Sequence, residues 1–280
     1  MTIHRYSTAA DFQHRAFPLL LAAEAENNVM LGVVGRLAYS DATLPADLYL
    51  ATVDDGKHPV AAAMMTPPFP LVVTRANDSA LRLIANDLSA REVHPPGVLG
   101  VSATARNFAE LWGQQRSIPF RLGRNERVYR LDTVVFAGDA SGRMRSAGSE
   151  MIELLDGWWQ RFYREAAPEI DLHRVRATVE LMISEGRIVL WEEENGNPVT
   201  MAAAVGPTPN AIRISGVYTP PEFRQRGYAT ALVAQLSQHL LASGRQFCTL
   251  FTDLANPTSN SIYQKIGYRM VCDVDKYEFG

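Results

Sequence analysis

Two passages of the chain carry the same order of apolar and polar positions. In the first, Leu48 to Val53 is largely apolar, Asp54-Asp55-Gly56 is an acidic break, and Pro59-Val60 leads into Ala61-Ala62-Ala63-Met64. In the second, Ile188 to Trp191 is apolar, Glu192-Glu193-Glu194-Asn195-Gly196 breaks it, and Pro198-Val199 leads into Thr200-Met201-Ala202-Ala203-Ala204. Strand, glycine-bearing turn and strand predict a β-hairpin in each place. A proline-rich break follows both hairpins, Thr66-Pro67-Pro68 and Gly206-Pro207-Thr208-Pro209. Each passage then continues with a strand (Leu71 to Thr74, Ile212 to Thr219), a helix (Ser79 to Leu88, Thr230 to Leu241) and a buried-type strand (Gly97 to Ala103, Phe247 to Thr252). Agreement in element order, turn composition and small-residue strand predicts a duplicated unit.

Helical periodicity precedes both hairpins. Thr8 to Leu37 is rich in Ala and Leu, with a break at Asn27-Asn28. Ser149 to Glu165 reads as a helix containing Trp158 and Trp159, which cannot both face one side. One belongs to the core and the other to a contact or a cleft wall, or both are simply buried. Asp171 to Glu185 is amphipathic, with Asp171 as N-cap, Val175, Val179, Met182 and Ile183 on one face, and Gly186 as stop. The join lies between a helix at Asn107 to Gln115 and a strand at Arg127 to Val135. The stretch Arg116 to Arg130 carries five arginines, Arg116, Arg121, Arg124, Arg127 and Arg130. Such charges suit phosphate, but more commonly they are solvated or pair with acids of the next domain. The expected domains are 1–120 and 121–280.

The chain has 280 residues, long enough for about two domains. With 47% hydrophobic and 20% charged residues it is not a disordered chain. Its net charge of −3 gives no electrostatic case for nucleic acid. The most apolar short run, Phe17 to Ala23, is far below the ~20 residues of a membrane span. Met1 to Asp11 has no apolar segment behind a basic start, so a cytoplasmic location is expected. Cys248 and Cys272 are then expected as free thiols.

Chemistry concentrates in Ile214-Ser215-Gly216-Val217-Tyr218-Thr219-Pro220-Pro221-Glu222-Phe223-Arg224-Gln225-Arg226-Gly227-Tyr228-Ala229-Thr230. A strand ends in Pro-Pro, a short Arg-x-x-Gly-x-Ala loop follows, and a helix begins at once. The N–H groups of a helix's first turn have no partner in the helix, and its dipole favours negative charge. Gly227 lets backbone approach an anion closely, and Arg224 and Arg226 add cationic donors. The spacing predicts a pyrophosphate cradle. Alone, Arg-x-x-Gly is a common accident; its position between strand and helix gives it weight.

Downstream stand Asn256-Pro257-Thr258-Ser259, Tyr263 and Gly267-Tyr268, behind a strand. Together the two segments resemble the GNAT superfamily of acyl-CoA N-acyltransferases. Its pyrophosphate loop, Arg/Gln-x-x-Gly-x-Gly/Ala, is matched by Arg224 to Ala229. Its later signature, Asn-x-x-Ala/Ser-x-x-x-Tyr-x-x-x-Gly-Phe/Tyr, is matched by Asn256, Ser259, Tyr263, Gly267 and Tyr268. The resemblance covers about residues 125 to 280 and implies an α/β (α+β) chain of tandem GNAT-like folds. Each would be a mixed, mostly antiparallel sheet flanked by helices, with two central parallel strands that splay apart.

The first half departs from this pattern. Arg75-Ala76-Asn77-Asp78 has no glycine, and Asp78 would repel a phosphate. Glu110 stands about where the tyrosine would be wanted. The first half is therefore expected to lack acyl-CoA binding of the usual kind and to shape the acceptor cleft.

For the second half the resemblance implies acetyl-CoA as co-substrate and a small-molecule or peptide amine as acceptor. The backbone of Val217, Tyr218 and Thr219 would pair with pantetheine. The N–H groups of Gln225, Gly227, Tyr228, Ala229 and Thr230 would hold pyrophosphate. An N–H near Val217 would polarise the thioester carbonyl. Tyr263 would protonate the departing thiolate, against a reading as a packed tyrosine. Asn256 would contact the pantetheine arm or simply cap the helix before Pro257. No base stands out among Glu192, Glu193, Glu194, Asp253, Glu222 and His239; the three glutamates are expected in solvent at a hairpin turn. No metal, nucleotide-loop or Gly-x-Ser-x-Gly motif occurs, so no metal site, nucleic-acid partner or membrane contact is expected. A regulatory acyl-CoA-binding module and a transferase of longer acyl groups are the competing functions. The acceptor and the oligomeric state are not readable.

Overall fold

Both expected hairpins form. In this computed structural model, residues 1–38, 47–167 and 171–280 are described. The first half runs β1 (Thr2–Arg5), α1 (Ala9–Ala22), α2 (Asn28–Ala38), β2 (Tyr49–Asp54), β3 (Pro59–Met65), β4 (Leu71–Val73), α3 (Asp78–Ala90), β5 (Gly97–Val101), α4 (Ser102–Arg116) and β6 (Phe120–Leu131). The second runs β7 (Arg143–Ser146), α5 (Ile152–Ala166), α6 (Val175–Ser184), β8 (Ile188–Glu192), β9 (Pro198–Val205), β10 (Ala211–Tyr218), α7 (Tyr228–Ala242), β11 (Phe247–Asp253), α8 (Pro257–Ile266) and β12 (Arg269–Phe279). The repeated order of strands and helices is the one expected from the pattern.

Packing divides the chain into two units. One is Met1–Tyr129 with Phe251–Pro257 and Met270–Gly280; the other is Arg130–Leu250 with Thr258–Arg269. The last strand, β12, thus closes the first unit, where it pairs antiparallel with β5 from Val274↔Val101 to Glu278↔Gly97.

In the first unit the strand order is β1-β2-β3-β4-β5-β12. All neighbours are antiparallel except the parallel pair β4–β5. Strands β2 and β3 are buried on both faces, so their alternation is of partners rather than of polarity. Leu50, Ala62 and Met64 face α1 and α2, packing with Phe12, Leu20 and Met30. Ala51, Val53, Ala61 and Ala63 face α3 and α4, packing with Leu81, Phe108 and Trp112. The alanines let helices approach both faces. The Asn27-Asn28 break between α1 and α2 has a direct cause: the Asn27 amide donates to the Leu20 carbonyl at 3.2 Å and the Asn28 amide to the Ala25 carbonyl at 2.7 Å.

In the second unit the order is β11-β10-β9-β8-β7, antiparallel except for the parallel β10–β11 pair. Trp158 and Trp159 are both buried with Val179, Leu190 and Met201 between the sheet and helices α5 and α6. Asp171 caps the turn before α6 by accepting from the His173 N–H, and Gly186 at φ +66° ends the segment.

Three sequence expectations shift. The strand expected at Arg127 to Val135 is β6, from Phe120 to Leu131, and α4 starts at Ser102 rather than Asn107. Four of the five arginines are strand residues with ion pairs, among them Arg127, which binds Asp273 through two bonds of 2.7 and 3.0 Å, and Arg121, which binds Glu278 at 2.5 Å; Arg116 ends α4 and lies over the Trp112 ring. After Gly267-Tyr268 the chain ends in the single long strand β12, held at Asp275 by the Ser102 hydroxyl at 2.9 Å and by the Asn125 amide. Among the described residues no helix is long and apolar enough to cross a membrane. Cys248 and Cys272 are free and buried, and burial pushes each thiol up to about 12.

Candidate functional site

Strand β10 is interrupted where the chemistry is expected. It pairs with β11 only from Ala211↔Phe247 to Ile214↔Leu250, although it continues to Tyr218. On its other side the register with β9 shifts between Ser215↔Ala203 and Tyr218↔Met201. Three steps along β10 oppose two along β9, which is a β-bulge, and it leaves backbone groups outside the ladder. Gly216, at φ +61°, is the bulge residue that only glycine fits: a Cβ there would stand 2.1 Å from Trp159 Cη2. Val217 and Tyr218 follow directly, and Tyr218 packs on Trp158 with ring centroids 6.4 Å apart. The strand end is tied by Thr200, whose hydroxyl donates to the Tyr218 carbonyl at 2.8 Å and lies 2.8 Å from the Thr219 hydroxyl.

The loop after β10 has an unusual backbone. Gln225 has φ +63° and Gly227 φ +80°, and α7 begins at the next residue. Gly227 is the N-cap and supplies no side-chain hydrogen bond. The first-turn N–H groups of Tyr228, Ala229 and Thr230 therefore meet no side-chain cap from the residue before them, and Gln225 and Gly227, two residues apart, both have positive φ. An uncapped helix start of this kind is chemically suited to an anion. The expected cationic pair divides. Arg224 is engaged elsewhere, bonding both oxygens of Glu165 at 2.9 and 2.8 Å and the Thr219 carbonyl at 2.9 Å. Arg226 lies over the Phe223 ring at 6.0 Å. Tyr228 donates its hydroxyl to Glu193 at 2.5 Å, which holds the Glu193 carboxyl low and the tyrosine high.

Tyr263 lies on α8 and is buried, and burial pushes its phenol up to about 12. Its ring packs edge-on against Tyr268 at 5.9 Å. Tyr268 is in turn fixed by a 2.9 Å hydroxyl–hydroxyl hydrogen bond to Ser237 of α7. Gly267, at φ +118°, ends α8 where a Cβ would meet the Thr133 carbonyl at 2.9 Å. Asn256 directly precedes α8 and belongs to the other packing unit.

The carboxylate run is corrected. Glu192 is buried, not solvated, because the guanidinium of Arg145 at 2.8 Å and that of Arg143 at 3.7 Å compensate its charge. Glu193 is engaged by Tyr228, and Glu194 is exposed. Glu222, His239 and Asp253 are exposed, and Asp253 accepts from the Ala255 N–H.

The matching place in the first half differs at the helix start. The N-cap of α3 is Asn77, whose side chain accepts from the Ala80 N–H at 3.0 Å. Arg75 is paired with Glu26 at 2.7 Å. Asp78 is held by the Asn107 amide at 3.2 Å. Strands β4 and β5 pair at Leu71↔Val98 and Val72↔Leu99 and then part. The slot between them, with Met30, Phe251 and Val274 in its wall, has a volume of about 30 Å³. The sequence reading found the missing glycine but not the self-capping asparagine, although Asn before Asp-Ser-Ala is an N-cap signal.

Comparison with known proteins places this geometry. A family model described as FR47-like protein matches residues 195–278. No curated protein sequence matches the chain. Among solved structures, an acetyltransferase from the GNAT family of Colwellia psychrerythraea is 12% identical, with full coverage of both chains and a TM-score of 0.60. A GCN5-related N-acetyltransferase from Sphaerobacter thermophilus is 16% identical over 99% of this chain and 95% of that one, with a TM-score of 0.66. A tandem GNAT protein from the clavulanic acid biosynthesis pathway is 14% identical over 100% and 98%, with a TM-score of 0.58. The chain has the tandem GNAT fold.

Proposed function

We propose that the second copy, residues 121–280, is an N-acyltransferase that moves an acetyl group from acetyl-CoA to a primary amine, and that the first copy, 1–120, binds no acyl-CoA. The observation that carries this reading is the uncapped start of α7 behind a bulged strand. Positive-φ backbone at Gln225 and Gly227 precedes first-turn N–H groups that no side chain caps. Such a helix start suits a pyrophosphate.

In this reading the N–H groups of Gln225, Gly227, Tyr228, Ala229 and Thr230 receive the pyrophosphate, with Arg226 as the nearby cation. Arg224, bonded to Glu165, positions the loop instead of binding phosphate. The pantetheine arm runs along Val217, Tyr218 and Thr219 as an added strand, and Asn256 contacts it. A backbone N–H at the bulge, near Val217, polarises the thioester carbonyl, as an oxyanion hole does. The neutral amine attacks that carbonyl, the C–S bond breaks, Tyr263 gives its proton to the leaving thiolate, and the proton shed by the nitrogen as it becomes an amide passes through water and restores the phenol. With its phenol held up to about 12, Tyr263 stays protonated across the physiological range. General acid catalysis of this kind contributes ~10²–10⁴-fold.

Calorimetric titration with acetyl-CoA, followed by thiol release against a panel of primary amines, tests the reading. The expected outcome is one acetyl-CoA per chain and amine-dependent thiol release. Absence of binding sinks it. Binding without turnover on any amine turns the second copy into an acyl-CoA-responsive regulatory module. Tighter binding of succinyl- or long-chain acyl-CoA changes the donor.

A further inference from the structure

We infer that one face of α5 is the seat of the acceptor, and that the Asp156 carboxylate binds its ammonium group. Asp156, Trp159, Gln160 and Tyr163 follow at i, i+3, i+4 and i+7 and so share one face of the helix. This face is anchored at the bulge, because the six-membered ring of Trp159 lies against Gly216 where a Cβ would clash. Phe162 and Tyr163 surround the indole, with ring centroids 5.5 and 5.6 Å from it.

Two polar atoms on this face are unusual. Asp156 Oδ2 accepts from Gln160 at 3.0 Å, but Oδ1 is buried and has no hydrogen-bond partner among the described residues. Trp159 Nε1 is buried and likewise has none among them. Native proteins seldom leave buried polar atoms unmet, and a carboxylate oxygen is the costlier case. One atom accepts and the other donates. A molecule that satisfies both carries a donor, which opposite an aspartate is best a cation, and an acceptor. Aromatic faces reinforce the choice of a cation. A purely structural aromatic cluster would account for the burial of Trp159 but not for an unmet carboxylate oxygen one helical turn earlier on the same face. Phe162 and Tyr163 are only partly buried, so the face is not sealed.

This inference takes from the acyl-transfer reading only the reason for an amine to dock beside the bulge. Its test is therefore binding, not turnover. The probes are 2-phenylethylamine and its neutral counterpart 2-phenylethanol, each titrated against the Trp159 indole N–H resonance in wild-type protein, Asp156→Asn and Asp156→Glu. The amine is expected to shift that resonance and to bind wild type at least about tenfold more tightly than it binds Asp156→Asn, as a lost charge-assisted hydrogen bond implies. Asp156→Glu keeps most of the affinity, and the alcohol does not distinguish the three proteins. Equal affinities of amine and alcohol for the wild type overturn the inference, even if Asp156→Asn does not fold. So does an amine affinity unchanged in a folded Asp156→Asn, or an unmoved Trp159 resonance. Acetyl-CoA titrated into the same samples reads the cradle separately, so its failure to bind removes the acyl-transfer reading without altering the amine result.

Discussion

Helices α3 and α7 hold the same place in the two copies, and they begin in opposite ways. At α3 the Asn77 side chain fills the first turn, Asp78 adds negative charge, and Arg75 is spent on Glu26. At α7 a glycine with φ +80° stands at the cap, and the first turn meets no side-chain cap. The strands before them differ in the same sense: β4 has three residues in even register with β3, whereas β10 has eight and a bulge. One fold can thus be kept while the start of the equivalent helix is capped by its own chain in one copy and left uncapped in the other.

The widest gap between the copies is the tyrosine. In the second copy it is Tyr263, buried on α8; in the first, the expected place holds Glu110, which pairs with Arg106 at 2.8 Å. Tyr263→Phe is expected to lower kcat about 10²-fold or more with the acetyl-CoA Kd unchanged, since only the proton donor is lost. The pH profile carries a sign. Burial raises this phenol to about 12, so the donor is lost only at very alkaline pH. The kcat profile of the wild type should show no falling limb below about pH 10 that Tyr263→Phe removes. Such a limb near pH 8 would show that Tyr263 is not in the environment described.

The next difference is the cap itself. Gly227→Glu puts a carboxylate and an L side chain at a positive-φ position of the cradle. Acetyl-CoA affinity should fall about 100-fold, roughly 2.7 kcal/mol, when measured by calorimetry. A Kd within threefold of the wild type would mean that the helix start is not the phosphate site.

The bulge is a stability prediction. Gly216→Ala drives a methyl into Trp159 and leaves alanine at φ +61°. Overpacking and backbone strain together should cost about 2 kcal/mol, read as a lower denaturation midpoint. Unchanged stability would mean that the indole can move away, and the bulge is then not pinned by α5.

How far the sequence reveals these differences depends on their range. Hairpins, helix limits and the Arg224 to Ala229 loop are legible because turn chemistry and periodicity are local. The absent glycine at Arg75 to Asp78 is legible for the same reason. Local pattern does not tell which acid an arginine meets: Arg224 meets Glu165, and Arg127 meets Asp273, each far away in sequence. It likewise hides the burial of Glu192, which depends on Arg145 across the β7–β8 ladder. The pairing of β12 with β5 is the extreme case, since strands so distant in sequence carry no local mark of partnership.

The smallest effect tests the comparison from the other side. Asn77→Ala removes the side chain that fills the first turn of α3, and loss of an N-cap costs about 1 kcal/mol. Asn77→Gly should cost only a few tenths, because glycine is itself a tolerable cap. Either change frees the Ala80 N–H, and on that ground alone the first copy would gain an anion site. It should not. Asp78 remains in the first turn, held by Asn107, and its charge opposes an incoming phosphate. Calorimetry on Asn77→Gly should therefore still give one acetyl-CoA per chain. A second equivalent would show that a single cap, rather than the cap together with the acidic residue of the first turn, separates the two copies.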